Sequence, residues 1–241
     1  MWNRREWLRL ALLSGAGSLA SCSGPGFRSQ SDLLGHKPGP KGFRTVILDA
    51  GHGGRDTGAV RNGIREKDVA LDVARRLKDK LESGFRVRMM RDGDSFVDLD
   101  DRVRRADRSG DAILISIHFN SGSRRLAGAE TFYWRVDSYG LARRIQQNLS
   151  AVTPYRNSRG LTRRRLRLTR NPTIPCVLVE CGYLSHSREA ALIRQSSYRD
   201  RLAEAMANAI RAQAREGDGA VTLPPARWDP PSQGTDARDR W

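Results

Sequence analysis

The sequence predicts an α/β fold: a mostly parallel central sheet with helices on both faces. Three observations carry that expectation. Short, almost wholly apolar runs such as Thr45-Val46-Ile47-Leu48-Asp49 and Ala112-Ile113-Leu114-Ile115-Ser116-Ile117 have the composition of strands buried on both faces. Longer stretches between them place their apolar residues on one helical face. The two patterns alternate along the chain, as they do in strand–helix units built on a parallel sheet.

In chain order, Thr45 to Asp49 is the first strand, and it stops at Gly51-His52-Gly53-Gly54. Lys67 to Leu81 sets Val69, Leu71, Val73, Ala74, Leu77 and Leu81 on one broad face with charges between them, and so reads as a helix. Phe85 to Met90 predicts a second strand, Leu99 to Arg108 a helix, and Ala112 to Ile117 a third, buried strand. Ala129 to Trp134 predicts a further strand and Tyr139 to Leu149 a helix. Cys176 to Glu180 is the next buried strand, and helices over Arg188 to Ile193 and Tyr198 to Ala214 close the domain. No internal repeat is visible.

The 241 residues suffice for one ordinary domain with extensions, and a hydrophobic content of 38% suggests that the extensions are polar. Residues 1–21 read as an export signal: Arg4, Arg5 and Arg9 precede a modestly apolar stretch from Ala11 to Ala20, too short to span a bilayer. Leu19-Ala20-Ser21-Cys22 resembles a bacterial lipobox, which implies lipidation at Cys22 and a membrane anchor. Arg4-Arg5-Glu6-Trp7-Leu8-Arg9 resembles a twin-arginine motif, and the ordinary secretory route stays open beside it. Residues 22–42 are rich in Ser, Gly, Pro and charge and read as a flexible tether. Residues 216–241 carry Pro224-Pro225 and Pro230-Pro231 without periodicity and read as a disordered tail. The folded domain is expected over 43–215.

A net charge of +16 favours anionic partners. Nucleic acid is the weakest of these, because no recognition module or aromatic-basic pattern is present and an export signal argues against it. Six arginines, at 159, 163, 164, 165, 167 and 170, crowd one segment. They read mainly as a solvated face. The functional alternative is attraction to envelope polymer or to peptide carboxylates. Cys176 and Cys181 lie five strand steps apart, roughly 16 Å, beyond the ~7 Å that a disulfide allows, so no bridge is expected.

In open α/β sheets, ligands bind beyond the carboxyl ends of the strands. His52 follows the first strand in a glycine-rich loop, His118 follows the Ala112–Ile117 strand, Glu180 ends the Cys176–Glu180 strand, and Glu66 starts the first helix. Each has an ordinary structural reading: a satisfied histidine, or a glutamate favouring a helix dipole. A glutamate closing an apolar strand is rarer, because unpaired burial is costly. Together, two imidazoles and a carboxylate make a catalytic zinc set that leaves one position for water. A second carboxylate can take that water's proton. No HExxH motif is present.

Several ordered motifs resemble the zinc amidases of the Amidase_3 type. They are Leu48-Asp49-Ala50-Gly51-His52-Gly53-Gly54 with Asp56 and Gly58; Arg65-Glu66-Lys67-Asp68 with Leu71; Arg91, Asp94, Leu99 and Arg102; Ser116-Ile117-His118-Phe119-Asn120; Gly128 to Tyr133; and Val177 to Ser185. The resemblance covers Thr45 to about Ala214. It implies an N-acetylmuramoyl-L-alanine amidase acting on peptidoglycan in the cell envelope, periplasmic or otherwise extracytoplasmic. One zinc ion falls on His52, Glu66 and His118 at the carboxyl ends of the strands, and the catalytic glutamate falls on Glu180. Ala50, Cys181, Tyr183 and His186 depart from the family pattern without removing a catalytic group. The short segment between Asn120 and Gly128 leaves no room for the autoinhibitory helix some relatives carry there. For His186 a helix-capping or surface role is expected rather than a fourth ligand. A cysteine-nucleophile reading of Cys181 finds no supporting signature. A related amidohydrolase for another acylated peptide, and a non-catalytic wall-binding module, are the competing readings.

Overall fold

In this computed structural model, residues 41–155 and 160–218 are described. The signal over 1–21, Cys22, the tether up to residue 40, Arg159 and the tail from 219 lie outside the described residues.

The strands are β1 (Thr45–Ala50), β2 (Val60–Arg61), β3 (Ile64–Arg65), β4 (Arg86–Met89), β5 (Ala112–Asn120), β6 (Glu130–Tyr133), β7 (Gly160–Arg163) and β8 (Cys176–Tyr183). The helices are α1 (Glu66–Leu81), α2 (Leu99–Asp107), α3 (Tyr139–Val152), α4 (Arg167–Arg170), α5 (Ser187–Arg194) and α6 (Ser196–Glu216). Six strands form one sheet in the order β4-β1-β5-β8-β6-β7. β1 runs parallel to β4 and β5, and β5 parallel to β8. β6 pairs antiparallel with β8, and β7 runs parallel to β6. The sheet is therefore mixed and mostly parallel, as expected.

Strand alternation sorts the core into two layers. Val46, Leu48, Ile113, Ile115, Ile117, Val177 and Val179 face α1, α3 and α6, whose Val73, Leu77, Ile145, Leu202, Met206 and Ile210 complete one continuous cluster. Ile47, Leu114 and Cys176 face the other way, against Ala106 of α2 and Leu168 of α4. Helices cover both faces, and the long ones share one. Cys176 and Cys181, an odd number of steps apart, fall in opposite layers; both are buried free thiols, as the spacing requires.

Two strands run further than their apolar stretches. β5 continues to Asn120 and β8 to Tyr183, so His118 and Glu180 lie inside strands rather than at their ends. Backbone pairing continues past the last core-facing residue: His118 pairs with Glu180, after which the register shifts and Asn120 pairs with Tyr183. Gly182 takes up that irregularity at φ 151°, where β-bulges tolerate glycine. The β2–β3 hairpin, strand β7 and the single-turn helix α4 are not predicted by the sequence pattern. The hairpin turns on Asn62 and Gly63, both left-handed at φ 49° and 72°, the pair that a tight two-residue turn demands.

Candidate metal centre

His52 sits just beyond β1, on a turn built by its neighbours. Gly51 continues the sheet by donating its N–H to the Ile117 carbonyl at 2.9 Å, and His52 itself adopts a left-handed φ of 59°. Two buried arginines secure this unusual backbone. Arg91 donates to the carbonyls of Ala50, Gly51 and Lys67, and Arg102 to those of Ala50, His52 and Val97. Arg102 also pairs with buried Asp49, whose other oxygen accepts from Ser116 Oγ at 2.7 Å. Glycine is needed twice for space. A Cβ on Gly51 would lie 2.3 Å from His118 Cε1, and one on Gly58 would lie 2.6 Å from both Glu66 Oε2 and His52 Cδ2.

Glu66 is the first residue of α1. Its Oε2 accepts from the Ala59 N–H at 2.9 Å, and its Oε1 accepts from the Phe119 N–H at 3.2 Å. Oε1 also lies 2.9 Å from His118 Nδ1 and 3.0 Å from His52 Nε2. The ligand atoms of His52, Glu66 and His118 all lie within 4.8 Å of one another. The remaining nitrogen of His52, Nδ1, is 2.8 Å from Asp56 Oδ2. A carboxylate behind a ligating imidazole fixes its tautomer and orientation, so the structure adds Asp56 to the site.

The donor set fits a divalent cation. His52, Glu66, His118 and Glu180 are each no more than 5% exposed. Glu180 Oε2 is buried without a hydrogen-bond partner, and His52 Nε2 makes no well-directed hydrogen bond although Glu66 Oε1 lies 3.0 Å away, a costly state for polar atoms unless something else satisfies them. Two imidazole nitrogens and one carboxylate oxygen match the ligands of catalytic zinc sites.

The charges are arranged to match. Burial opposes ionisation of Glu66, but the imidazoles of His118 and His52 overcome it and hold the carboxyl well below its usual range, ready to ligate. Burial also opposes a charge on His52, and Glu66 and Asp56 outweigh it and raise its pKa. Glu180 is different: burial, then the carboxylates of Glu66 and Glu130, push its carboxyl well above the usual range, and Arg164 pulls part of the way back. Glu130 is the direct cross-strand partner of Glu180.

Two cavities flank the cluster. One, of about 350 Å³, opens from His52 and His118 and runs beside Leu166, Arg167, Leu168 and Leu178. The other, of about 470 Å³, is lined by Glu66, Glu180, Asn120 and the β2 segment. His186 belongs to neither; it caps α5, its Nδ1 accepting from the Glu189 N–H at 3.3 Å. Cys181 is buried in the helix-facing layer, and burial drives its thiol far from ionisation, which removes it as a nucleophile. Of the other departures from the expected pattern, Ala50 offers its carbonyl to Arg91 and Arg102, and the Tyr183 hydroxyl accepts from Asn120 Nδ2 at 3.2 Å.

The profile of the N-acetylmuramoyl-L-alanine amidase family, Amidase_3, matches residues 46–212. The uncharacterized protein YqiI of Bacillus subtilis (strain 168) is 34% identical over 212 residues, 86% of this chain and 97% of that protein. The germination-specific N-acetylmuramoyl-L-alanine amidase of the same organism is 34% identical over 203 residues, 74% of this chain and 84% of that protein. Among solved structures, the N-acetylmuramoyl-L-alanine amidase from Clostridium difficile 630 aligns with a TM-score of 0.67 at 29% identity, covering 72% of this chain and 97% of that one.

Proposed function

The chain belongs to the N-acetylmuramoyl-L-alanine amidase family, a family of metal-dependent hydrolases that act on peptidoglycan, and from that premise we propose how it works and where. The metal is zinc, held by His52, Glu66 and His118. The bond cut is the amide joining the lactyl group of N-acetylmuramic acid to L-alanine. When bound, zinc supplies Lewis acidity, polarising the scissile carbonyl and acidifying water.

The protein's own groups do the rest. Asp56 and the Arg91–Arg102 clamp hold His52 in its left-handed turn. Glu66, anchored by two backbone N–H groups, keeps its carboxylate ionised. Glu180 takes a proton from the attacking water and returns it to the departing L-alanine nitrogen. The observation that carries this reading is the convergence of three buried ligand atoms within 4.8 Å, beside the carboxylate of Glu180 on the strand position paired with His118.

The proposal extends to the ends of the chain. A signal over 1–21 exports the protein, Cys22 carries a lipid that anchors it to an envelope membrane, 22–42 tethers the catalytic domain at 43–215, and 216–241 is a tail. Among the described residues no helix is long and apolar enough to cross a membrane. The biological task is remodelling, turnover or daughter-cell separation.

The test is digestion of purified peptidoglycan with and without a chelator, read by mass spectrometry. Release of stem peptides with a new L-alanine amine, abolished by chelation and restored by zinc, is expected. Zinc binding without release would redirect the search to another amide, and absence of both would favour a wall-binding module.

A further inference from the structure

The cavity on the α4 side of the metal centre has leucines along one wall, with Asp56, Asp98, Arg102 and Arg167 also in its lining, and Arg164 lies outside that lining on the same face of the sheet. Leu166 and Leu178 line the cavity together with His52 and His118, and the same two leucines form a buried cluster with Phe132 of β6. Phe132 pairs across the strands with Leu178. One pleat along, on the same face, Glu130 pairs with the catalytic Glu180. The guanidinium of Arg164 stands over the Phe132 ring, 5.5 Å from its centroid. Arg164 therefore sits on the cavity face of the sheet, close to the reacting carboxylate, and near enough for its charge to act on Glu180.

The backbone of Arg164 is fixed while its side chain is not committed. Its N–H donates to the Tyr133 carbonyl at 2.8 Å, and its own carbonyl accepts from Thr169 Oγ1 at 2.8 Å. The side chain is exposed, and among the described residues no carboxylate pairs with it. Its neighbours are spent: Arg163 donates to the Trp134 carbonyl and stacks on that indole, and Arg167 pairs with Asp100. An available guanidinium offers a planar fork matched to a carboxylate. Of the two halves of the substrate, the glycan is uncharged where its lactyl group is amidated, whereas the stem peptide carries carboxylates. The walls formed by Leu166, Leu168 and Leu178 suit the methyl and methylene groups of a short peptide.

Resting on the amidase reading, we infer that this cavity receives the stem peptide and that Arg164 binds a peptide carboxylate there, making the enzyme selective for acidic over amidated stems.

Binding and turnover separate this inference from the reading beneath it. Two peptides beginning with L-alanine, identical except for a free α-carboxylate or a carboxamide on the following residue, are titrated calorimetrically into the full-length, zinc-loaded protein. Wild type is expected to bind the acid at least about ten-fold more tightly, the size of one charge-assisted contact. Arg164→Ala should lose that preference by weakening the acid alone, and Arg164→Lys should recover part of it. A wild type without preference, a preference that survives Arg164→Ala, or an equal loss on both peptides would overturn the subsite. Cleavage of muropeptides by the same wild-type sample reports on the amidase reading by itself, so an enzyme that cuts without discriminating overturns only the subsite.

Discussion

At Glu180 two requirements oppose each other. A proton acceptor must ionise, yet this carboxyl is buried on the strand position paired with His118, with Glu66 and Glu130 both disfavouring its charge. A cation held by the neighbouring triad would offset that repulsion. Glu180→Gln keeps the shape and removes the proton-carrying function proposed for it. It is expected to retain one zinc by metal analysis while peptidoglycan release falls about 10²- to 10⁴-fold. Asp56→Ala leaves all three ligands in place but frees the His52 ring; competition with a chromogenic chelator should show metal affinity weakened roughly 10- to 100-fold. His52, His118 and Glu180 stand out in the sequence at the ends of apolar runs and Glu66 at the start of a helix, and the fold brings the ligand atoms of His52, Glu66 and His118 together. Asp56 stands in the first family motif without a role, because an aspartate among glycines reads as an ordinary turn residue. Arg91 and Arg102 were placed in a family motif without a role, since arginine is seldom buried unless paired. Only the fold reveals that they grip the carbonyls of residues 50–52.

Between elements, the contact of α1 with α6 is tied by Asp72, which accepts from Arg76 on its own helix at 2.7 Å and from Arg199 on the other. Burial works against this charge, but the two guanidinium groups outweigh it and hold the carboxyl below its ordinary 3.8. Because the folded pKa is the lower one, the stabilisation is present above the unfolded value and is lost as pH falls through the folded pKa. With the site partly solvated the effect is about 0.5 kcal/mol. Asp72→Asn should therefore lower thermal stability slightly at pH 7, and the difference from wild type should shrink below about pH 4 in melts followed by circular dichroism. Most elements were predictable from periodicity, and the exceptions have identifiable causes. Polar side chains facing the site made β5 and β8 look shorter than their backbone ladders. The β2–β3 hairpin carries its own signal in Asn62-Gly63, but its two-residue strands are too short to show an apolar alternation. The antiparallel direction of β6 follows from the short connection after β5, since a parallel crossover needs a dozen or more residues. β7 borders an arginine-rich stretch that resembles surface loop.

For the whole molecule, the proposal joins an enzyme domain to an anchor. Lipidation at Cys22 predicts that the wild-type protein fractionates with membranes, and that Cys22→Ser moves it to the soluble envelope fraction with unchanged activity per molecule; immunoblotting of fractions and digestion assays would show both. The architecture has an uneven division of labour. Three long helices seal one face of the sheet, while the short α2 and α4 leave the other face open enough for the cavity beside the metal centre.

Cys176 and Cys181, buried in opposite layers of one central strand, give the folded domain a built-in clock. A thiol reagent cannot reach either sulfur until β8 is exposed, so the rate of modification, once Cys22 is removed, counts openings of the sheet's centre and not chemistry at the surface. A chain captured during export would carry the label on both sulfurs if it crosses as an unfolded thread, and on neither if it crosses already folded. For the export proposed above, the two thiols would thus record the route taken.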